Sequence, residues 1–304
     1  MIVSLAMNEA KLILVLGDQL SPDQAAIRSA RPGVDIILLA EVDEEATYVR
    51  HNRHKIVFLF SAMRHFRHEL EALGHTVACV GIDEGVDRLQ TAVERTLQTH
   101  ALTEIVVCEP GEYRLLDRIQ TQWSELLGVP VTVLEDDRFL ASHTDFASWA
   151  KGKKQLRMEF FYRKMRERYQ LLMDDGQPVG GKWNYDADNR AGWRNQRAIP
   201  ERPNVSMDAI TQHVIAQVAE RFPNNPGDLE QFRLAVTRTD AQQQFDWFIS
   251  HALADFGNFQ DALVEESPWV FHGLVSMYIN CGLLDPLAVC QRVEMAWRDG
   301  ACSL

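Results

Sequence analysis

The sequence predicts an α/β protein with a Rossmann-like parallel sheet at the front, a connection carrying its own helix, and the first helices of an all-α domain at the back. Three observations predict it. Short runs rich in Val, Ile and Leu alternate with helical periods up to residue 135, the pattern of parallel strands buried on both faces. From Pro226 onward the apolar spacing is helical throughout, with no strand pattern between. Between these regions, residues 151–190 crowd basic and aromatic side chains around a Gly-Gly turn.

Taken in order, the apolar runs place strands at 11–16, 34–40, 76–82, 104–108 and 130–135, with helices at 22–30, 54–73, 86–100 and 113–127 between them. This defines a sheet domain over 1–135. No GxGxxG follows the first strand, so a dinucleotide held in the usual NAD fashion is not expected. Residues 136–225 read as a linker with a helix near 156–170, in which Met158, Phe161 and Met165 share a face. Asp174–Asp175–Gly176 breaks that helix, and a loop runs through Gly180–Gly181 to Pro203. Helices follow at 238–253, 269–281 and 286–298, so 226–304 reads as the beginning of a helical bundle. Its Trp247, Phe248, Val270, Val289 and Trp297 present apolar faces without evident partners, and self-association through them is expected.

The chain has 304 residues, is 46% hydrophobic and carries a net charge of −12, which allows two cores and argues against nucleic-acid binding over the whole surface. Local patches still differ. Between Lys151 and Arg168 eight Lys or Arg stand against two acids, which reads either as a solvated helix face or as a DNA-facing surface. Runs such as Leu12–Leu16 and Ile36–Ala40 are too short to span a membrane, and Met1–Met7 lacks the features of a signal peptide. No membrane association and a cytoplasmic location are therefore expected. The five cysteines, Cys79, Cys108, Cys281, Cys290 and Cys302, have no compact metal spacing and read as reduced thiols.

Ligands of a parallel sheet sit beyond the carboxyl ends of its strands. Gly17–Asp18–Gln19 ends the first strand there, either as a ligand-facing turn or as a helix start capped by Asp18 or Ser21. Glu41 and Glu45 follow the second strand at the same edge, and Leu59 lies on the next helix. With Asp18 these acids suit a polar heterocycle and a hydroxylated chain. A second candidate region joins Asp255–Asp261 to Phe271–Ser276, where His272 is read either as a ligand contact or as a satisfied core histidine.

The segments LVLGDQLSP (14–22), AEVDEEATYVRHNRHKIVFLFSAMRHF (40–66), EPGEYR (109–114), DDRFL (136–140) and SMYINCGLLDPLAVC (276–290), with the 151–190 block, resemble the bacterial iron–sulfur photolyases and cryptochromes, also called deoxyribodipyrimidine photolyase-related proteins. The resemblance runs over nearly the whole chain. It implies an antenna domain followed by the start of a helical FAD-binding domain. The antenna would hold 6,7-dimethyl-8-ribityllumazine at Gly17, Asp18, Ala40, Glu41, Glu45 and Leu59, with Ala40 standing where some relatives have cysteine. Part of an FAD site is implied at Gln260, Asp261, His272, Gly273, Leu274, Val275 and Ser276, with Gly273 where serine is common.

The family's helical region continues beyond the point matching Leu304, so the chain is expected to be a C-terminally truncated member, inactive alone. The family's iron–sulfur cluster ligands and lesion-side histidines have no counterparts here, so no metal ligand and no catalytic residue is assigned. The implied activity of a complete member is light-driven repair of (6-4) pyrimidine dimers in damaged DNA by electron transfer from reduced FAD. The alternative is a cryptochrome-like blue-light photosensor or a non-enzymatic lumazine-binding module.

Overall fold

The computed structural model describes residues 9–186, 193, 198–265 and 267–304; Met1–Asn8 and part of the loop before Pro203 lie outside them. The described chain divides into two compact units. One comprises residues up to Asp137 with Val205–Thr237 and Asn280–Leu283; the other comprises Arg138–Asn204, Arg238–Ile279 and Leu284–Leu304.

The first unit is built on five parallel strands, β1 (Ala10–Val15), β2 (Ile36–Ala40), β3 (Thr76–Val80), β4 (Leu102–Cys108) and β5 (Val131–Leu134), in the order β3-β2-β1-β4-β5. The order reverses direction at β1, so the carboxyl ends of β1 and β4 diverge and leave a crevice there. Leu12, Ile13 and Leu14 are fully buried and all of β2 is buried, as central strands with helices on both faces require. The unit's helices are α1 (Ala25–Ser29), α2 (Asp43–Thr47), α3 (Arg53–Ala72), α4 (Leu89–Thr99) and α5 (Tyr113–Arg118). A π-helical turn at Ile119–Trp123 carries α5 into α6 (Ser124–Leu127). The long helix α3 begins at Asn52, whose side chain accepts the His54 N–H, and buries Ile56, Val57, Phe60, Met63 and Phe66 along one stripe.

The second unit contains α7 (His143–Ala150), α8 (Met158–Tyr169) and a minimal hairpin of β6 (Met173–Asp174) and β7 (Gln177–Pro178). Asp175 and Gly176 turn this hairpin with φ of 48° and 73°, the left-handed pair that an Asp-Gly dipeptide accommodates. Returning to the first unit, α9 (Ala209–Arg221) packs along α3. Its 13 residues fall in a stretch read from the sequence as connection. The second unit resumes with α10 (Arg238–His251) and α11 (Leu253–Phe259); α12 (Ser276–Cys281) and α13 (Pro286–Arg298) follow.

Two expectations need correction. The helix expected over 269–281 is only Ser276–Cys281, because the His272 ring captures the Val270 N–H and Leu274 takes a left-handed φ of 49°. Phe248 and Val270, expected to lack partners, are 5% and 1% exposed.

Candidate functional site

A cavity of about 310 Å³ opens at the carboxyl edge of the sheet, where the strand order reverses. Gly17 and Asp18 enter it from the turn after β1, Ala40 from the end of β2, Glu45 from α2 and Leu59 from α3. Five of the six residues expected around one heterocycle thus line one space. Val42, Ala46, Ile56 and Phe60 complete an apolar wall, and Pro110–Gly111–Glu112 close the side below β4. Gly17 lies close over α3, since a Cβ there would come within 3.2 Å of Met63 Sδ. Neither Asp18 nor Ser21 caps α1, whose N-cap position is Gln24.

The turn is held by Gln19, which is fully buried. Its Nε2 donates to the carbonyl oxygens of Cys108 at 3.2 Å and Glu109 at 3.1 Å, tying the exit of β1 to the exit of β4. A buried amide that reaches two strand ends keeps the crevice at a fixed width.

The polar side of the cavity is organised by Arg114, which lies behind it. Arg114 donates to Glu112 through Nε at 2.8 Å and Nη2 at 3.0 Å, and through Nη2 to Glu45 at 3.0 and 3.2 Å. Its guanidinium lies 4.7 Å from the centre of the Tyr48 ring. The hydrogen bond it donates to Glu112, with that to Glu45, holds Arg114 more firmly charged than an ordinary arginine. Burial pushes the Glu45 carboxyl above its usual range, Arg114 opposes this, and the charges of Glu112 and Glu44 add to it. Burial also lowers the basicity of His51, and the Lys55 charge adds to the effect.

Glu41 stands apart from this group. It is 4% exposed and receives Arg64 bidentately, both contacts at 2.7 Å, with the Ile82 N–H adding a third bond at 3.0 Å. It lines a different cavity, of about 500 Å³, beside β3, α3 and α9. Successive side chains leaving a strand point to opposite faces, so Ala40 and Glu41 do not share a cavity.

In the second unit, His272 Nε2 meets the Gln260 carbonyl oxygen at 3.1 Å and Nδ1 accepts the Val270 N–H at 3.0 Å. Both ring nitrogens are spent on backbone, as in the satisfied-histidine alternative. The contact brings Gln260 and Asp261 close to the Gly273–Leu274–Val275–Ser276 segment, and Ser276 opens α12. A cavity of about 250 Å³ in this unit includes Gln260 with Tyr185 and Asn258, whereas Asp261 and His272–Ser276 do not line it. A Cβ at Gly273 would meet Phe248 at an ordinary 3.7 Å, so the fold does not demand glycine there.

Arg202 was not legible as a site residue. It donates to the His272 carbonyl oxygen, lies 4.9 and 5.7 Å from the Trp247 and Trp269 rings, and its buried Nε has no hydrogen-bond partner among the described residues. Burial lowers its pKa.

The basic block divides by role. Arg163 binds Glu159, Arg168 binds Asp145, and Arg166 is buried against the carbonyl oxygens of Leu171, Leu172 and Trp183. Lys151, Lys153, Lys154, Arg157 and Lys164 are exposed and form no salt bridge among the described residues.

Among the described residues no helix is long and apolar enough to cross a membrane. Comparison with known proteins adds the following. A family model described as Deoxyribodipyrimidine photo-lyase-related protein matches residues 13–234. A (6-4) photolyase of Agrobacterium fabrum is 44% identical over 297 residues, covering 97% of this chain and 58% of that protein. The chain therefore spans less than two thirds of that relative's length. An uncharacterized protein, R852, of Acanthamoeba polyphaga mimivirus is 22% identical over 165 residues, covering 52% of this chain and 82% of that protein. A crystal structure of a bacterial class III photolyase from Agrobacterium tumefaciens aligns with a TM-score of 0.47 at 13% identity, over 99% of this chain and 60% of that one. With most of the sheet unit and the basic block inside the matched region, the chain belongs to the deoxyribodipyrimidine photo-lyase-related protein family.

Proposed function

We propose that this chain carries the light-harvesting site of a photolyase-type flavoprotein whose activity is light-driven repair of (6-4) pyrimidine dimers in DNA. The observation that carries the reading is the convergence of Gly17, Asp18, Ala40, Glu45 and Leu59 on one cavity, in a chain 44% identical to a protein named a (6-4) photolyase.

The cavity suits 6,7-dimethyl-8-ribityllumazine on its own chemistry. Ala40, Ile56, Leu59 and Phe60 offer apolar surface for the ring system and keep water from it. Asp18, Glu45 and Glu112 offer carboxylate oxygens to ribityl hydroxyl or ring N–H donors. Arg114 holds two of these acceptors in place, so little ordering is left to be done on binding. When bound, the lumazine supplies light absorption and reduced FAD supplies the electron for the lesion.

The FAD fit is partial. Gln260 borders a cavity, but the His272 ring is committed to backbone and the 273–276 segment does not line that cavity. Flavin use is therefore proposed from family membership, with Arg202, whose buried Nε has no hydrogen-bond partner among the described residues, as the group to face an anionic cofactor. No group of His, Cys, Asp or Glu able to hold a metal is present among the described residues. Lys151, Lys153, Lys154, Arg157 and Lys164 are proposed as contacts to DNA phosphates.

A repair assay tests the function. A polypeptide spanning the length of the Agrobacterium relative is mixed with an oligonucleotide containing a (6-4) dimer, FAD and reductant. The expected result is loss of the lesion under blue light and none in the dark. Lumazine binding without light-dependent repair would replace this reading with the photosensor or lumazine-module alternative.

A further inference from the structure

We propose that the cavity at the β1–β4 crevice selects an unphosphorylated ribityl heterocycle against its 5′-phosphate ester, with Glu45 and Glu112 as the selecting groups. The inference rests on the reading of this cavity as a ribityl-heterocycle site.

Parallel sheets of this topology commonly receive phosphate at the helix N-termini on the carboxyl edge, where unpaired N–H groups and the helix dipole favour an anion. Here those positions carry the protein's own acids. The first turn of α2 is Asp43–Glu44–Glu45, and the N-cap of α5 is Glu112. After β1, where a phosphate-binding loop would run directly into a helix, α1 begins only at Ala25, and the intervening turn has Gly17 as its single glycine. The two helix starts that border the cavity, those of α2 and α5, therefore carry negative charge.

The cations nearby are already engaged. Arg114 is shared between Glu112 and Glu45, and its Nη1 lies 3.6 Å from Glu44. Arg118 is on Glu44 at 2.8 Å. Lys55 lines the cavity with its Nζ 3.3 Å from His51 Nδ1, and counted with Arg114, which reaches Glu112 and Glu45 from behind the cavity, two cations stand against the three carboxylates of Asp18, Glu45 and Glu112. Gly111 brings Asp18 into this ring, since a Cβ there would lie 3.7 Å from Asp18 Oδ2. A ribityl hydroxyl donates a hydrogen bond to such a ring, whereas a phosphate dianion offers only acceptors and adds charge of the same sign.

The test compares two ligands on the 304-residue chain by equilibrium dialysis at low salt: 6,7-dimethyl-8-ribityllumazine and its 5′-phosphate ester, which keeps the ring and the chain. The ester is expected to bind roughly tenfold more weakly or worse, and the gap is expected to narrow in high salt. Glu45→Gln and Glu112→Gln, each checked for native circular dichroism, are expected to narrow it too by improving the ester relative to the parent compound. Equal binding of the two ligands would overturn the proposal and leave the ribityl-heterocycle reading standing. A gap indifferent to salt and to both substitutions would mean rejection by bulk and would also overturn it. Failure of the unphosphorylated lumazine to bind at all would remove the underlying reading and the proposal with it.

Discussion

Replacing Glu45 with leucine is expected to weaken 6,7-dimethyl-8-ribityllumazine binding by about 1–3 kcal/mol, the cost of leaving ligand donors without an acceptor in a half-buried site. Calorimetric titration of the wild-type chain and Glu45→Leu measures it. The pH profile separates this acceptor from a mere wall residue. Burial raises the Glu45 carboxyl, so it takes up a proton earlier on acidification than an ordinary glutamate. Wild-type affinity is therefore expected to be full near neutrality and to fall as pH drops through the upper part of the carboxylate range. Glu45→Leu should lack that fall. Stability follows the matching sign: a carboxyl with a raised folded-state pKa contributes stability below its unfolded pKa and loses it as pH rises through the folded value. At neutral pH the ionised Glu45 therefore adds nothing to the fold through this linkage, and its removal is expected to show in affinity more than in unfolding. Unchanged affinity in Glu45→Leu would take Glu45 out of the site.

Arg64→Ala is expected to destabilise the chain by about 3–5 kcal/mol, because it strands the Glu41 carboxylate in a buried position with the Ile82 N–H, at 3.0 Å, as its remaining hydrogen-bond donor among the described residues. Urea denaturation followed by circular dichroism measures the loss. Arg64 also donates to Gln217 at 2.7 Å, so the same change loosens α9 from α3. Replacing both partners with methionine should recover most of the loss, since the buried charge then goes with its counter-charge. A cost near zero for Arg64→Ala would mean that Glu41 is solvated and available to a ligand, contrary to the geometry.

The sheet was legible because its central strands are buried over most of their length and read as continuous apolar runs such as Leu12–Leu16 and Ile36–Ala40. Strand ends then located Gly17 and Asp18 at the ligand edge. Other parts of the cavity required the strand order. Pro110–Gly111–Glu112 becomes a wall only because β4 lies beside β1, and Arg114 reaches Glu45 across 69 positions of sequence. Glu41 and Glu45 looked equivalent as acids after β2, yet the two-residue alternation of a strand turns Glu41 away from the side that Ala40 faces. The helix α9 is hard to read from the sequence because its segment sits between prolines at 203 and 223 and its apolar stripe is completed only by α3. The loss of helix over 269–275 depends on a side-chain capture by His272 that spacing does not encode.

The central claim is that this cavity holds a ribityllumazine, and blocking the cavity tests it most directly. Leu59 is half-buried on α3 with its side chain on the cavity wall, so Leu59→Trp should fill part of the roughly 310 Å³ space while leaving the sheet intact. Titration of the wild-type chain with 6,7-dimethyl-8-ribityllumazine, followed by the lumazine's fluorescence, should give saturable one-to-one binding that Leu59→Trp lowers by tenfold or more, about 1.4 kcal/mol. Wild-type binding that does not saturate, or saturable binding that Leu59→Trp leaves unchanged, would contradict the account.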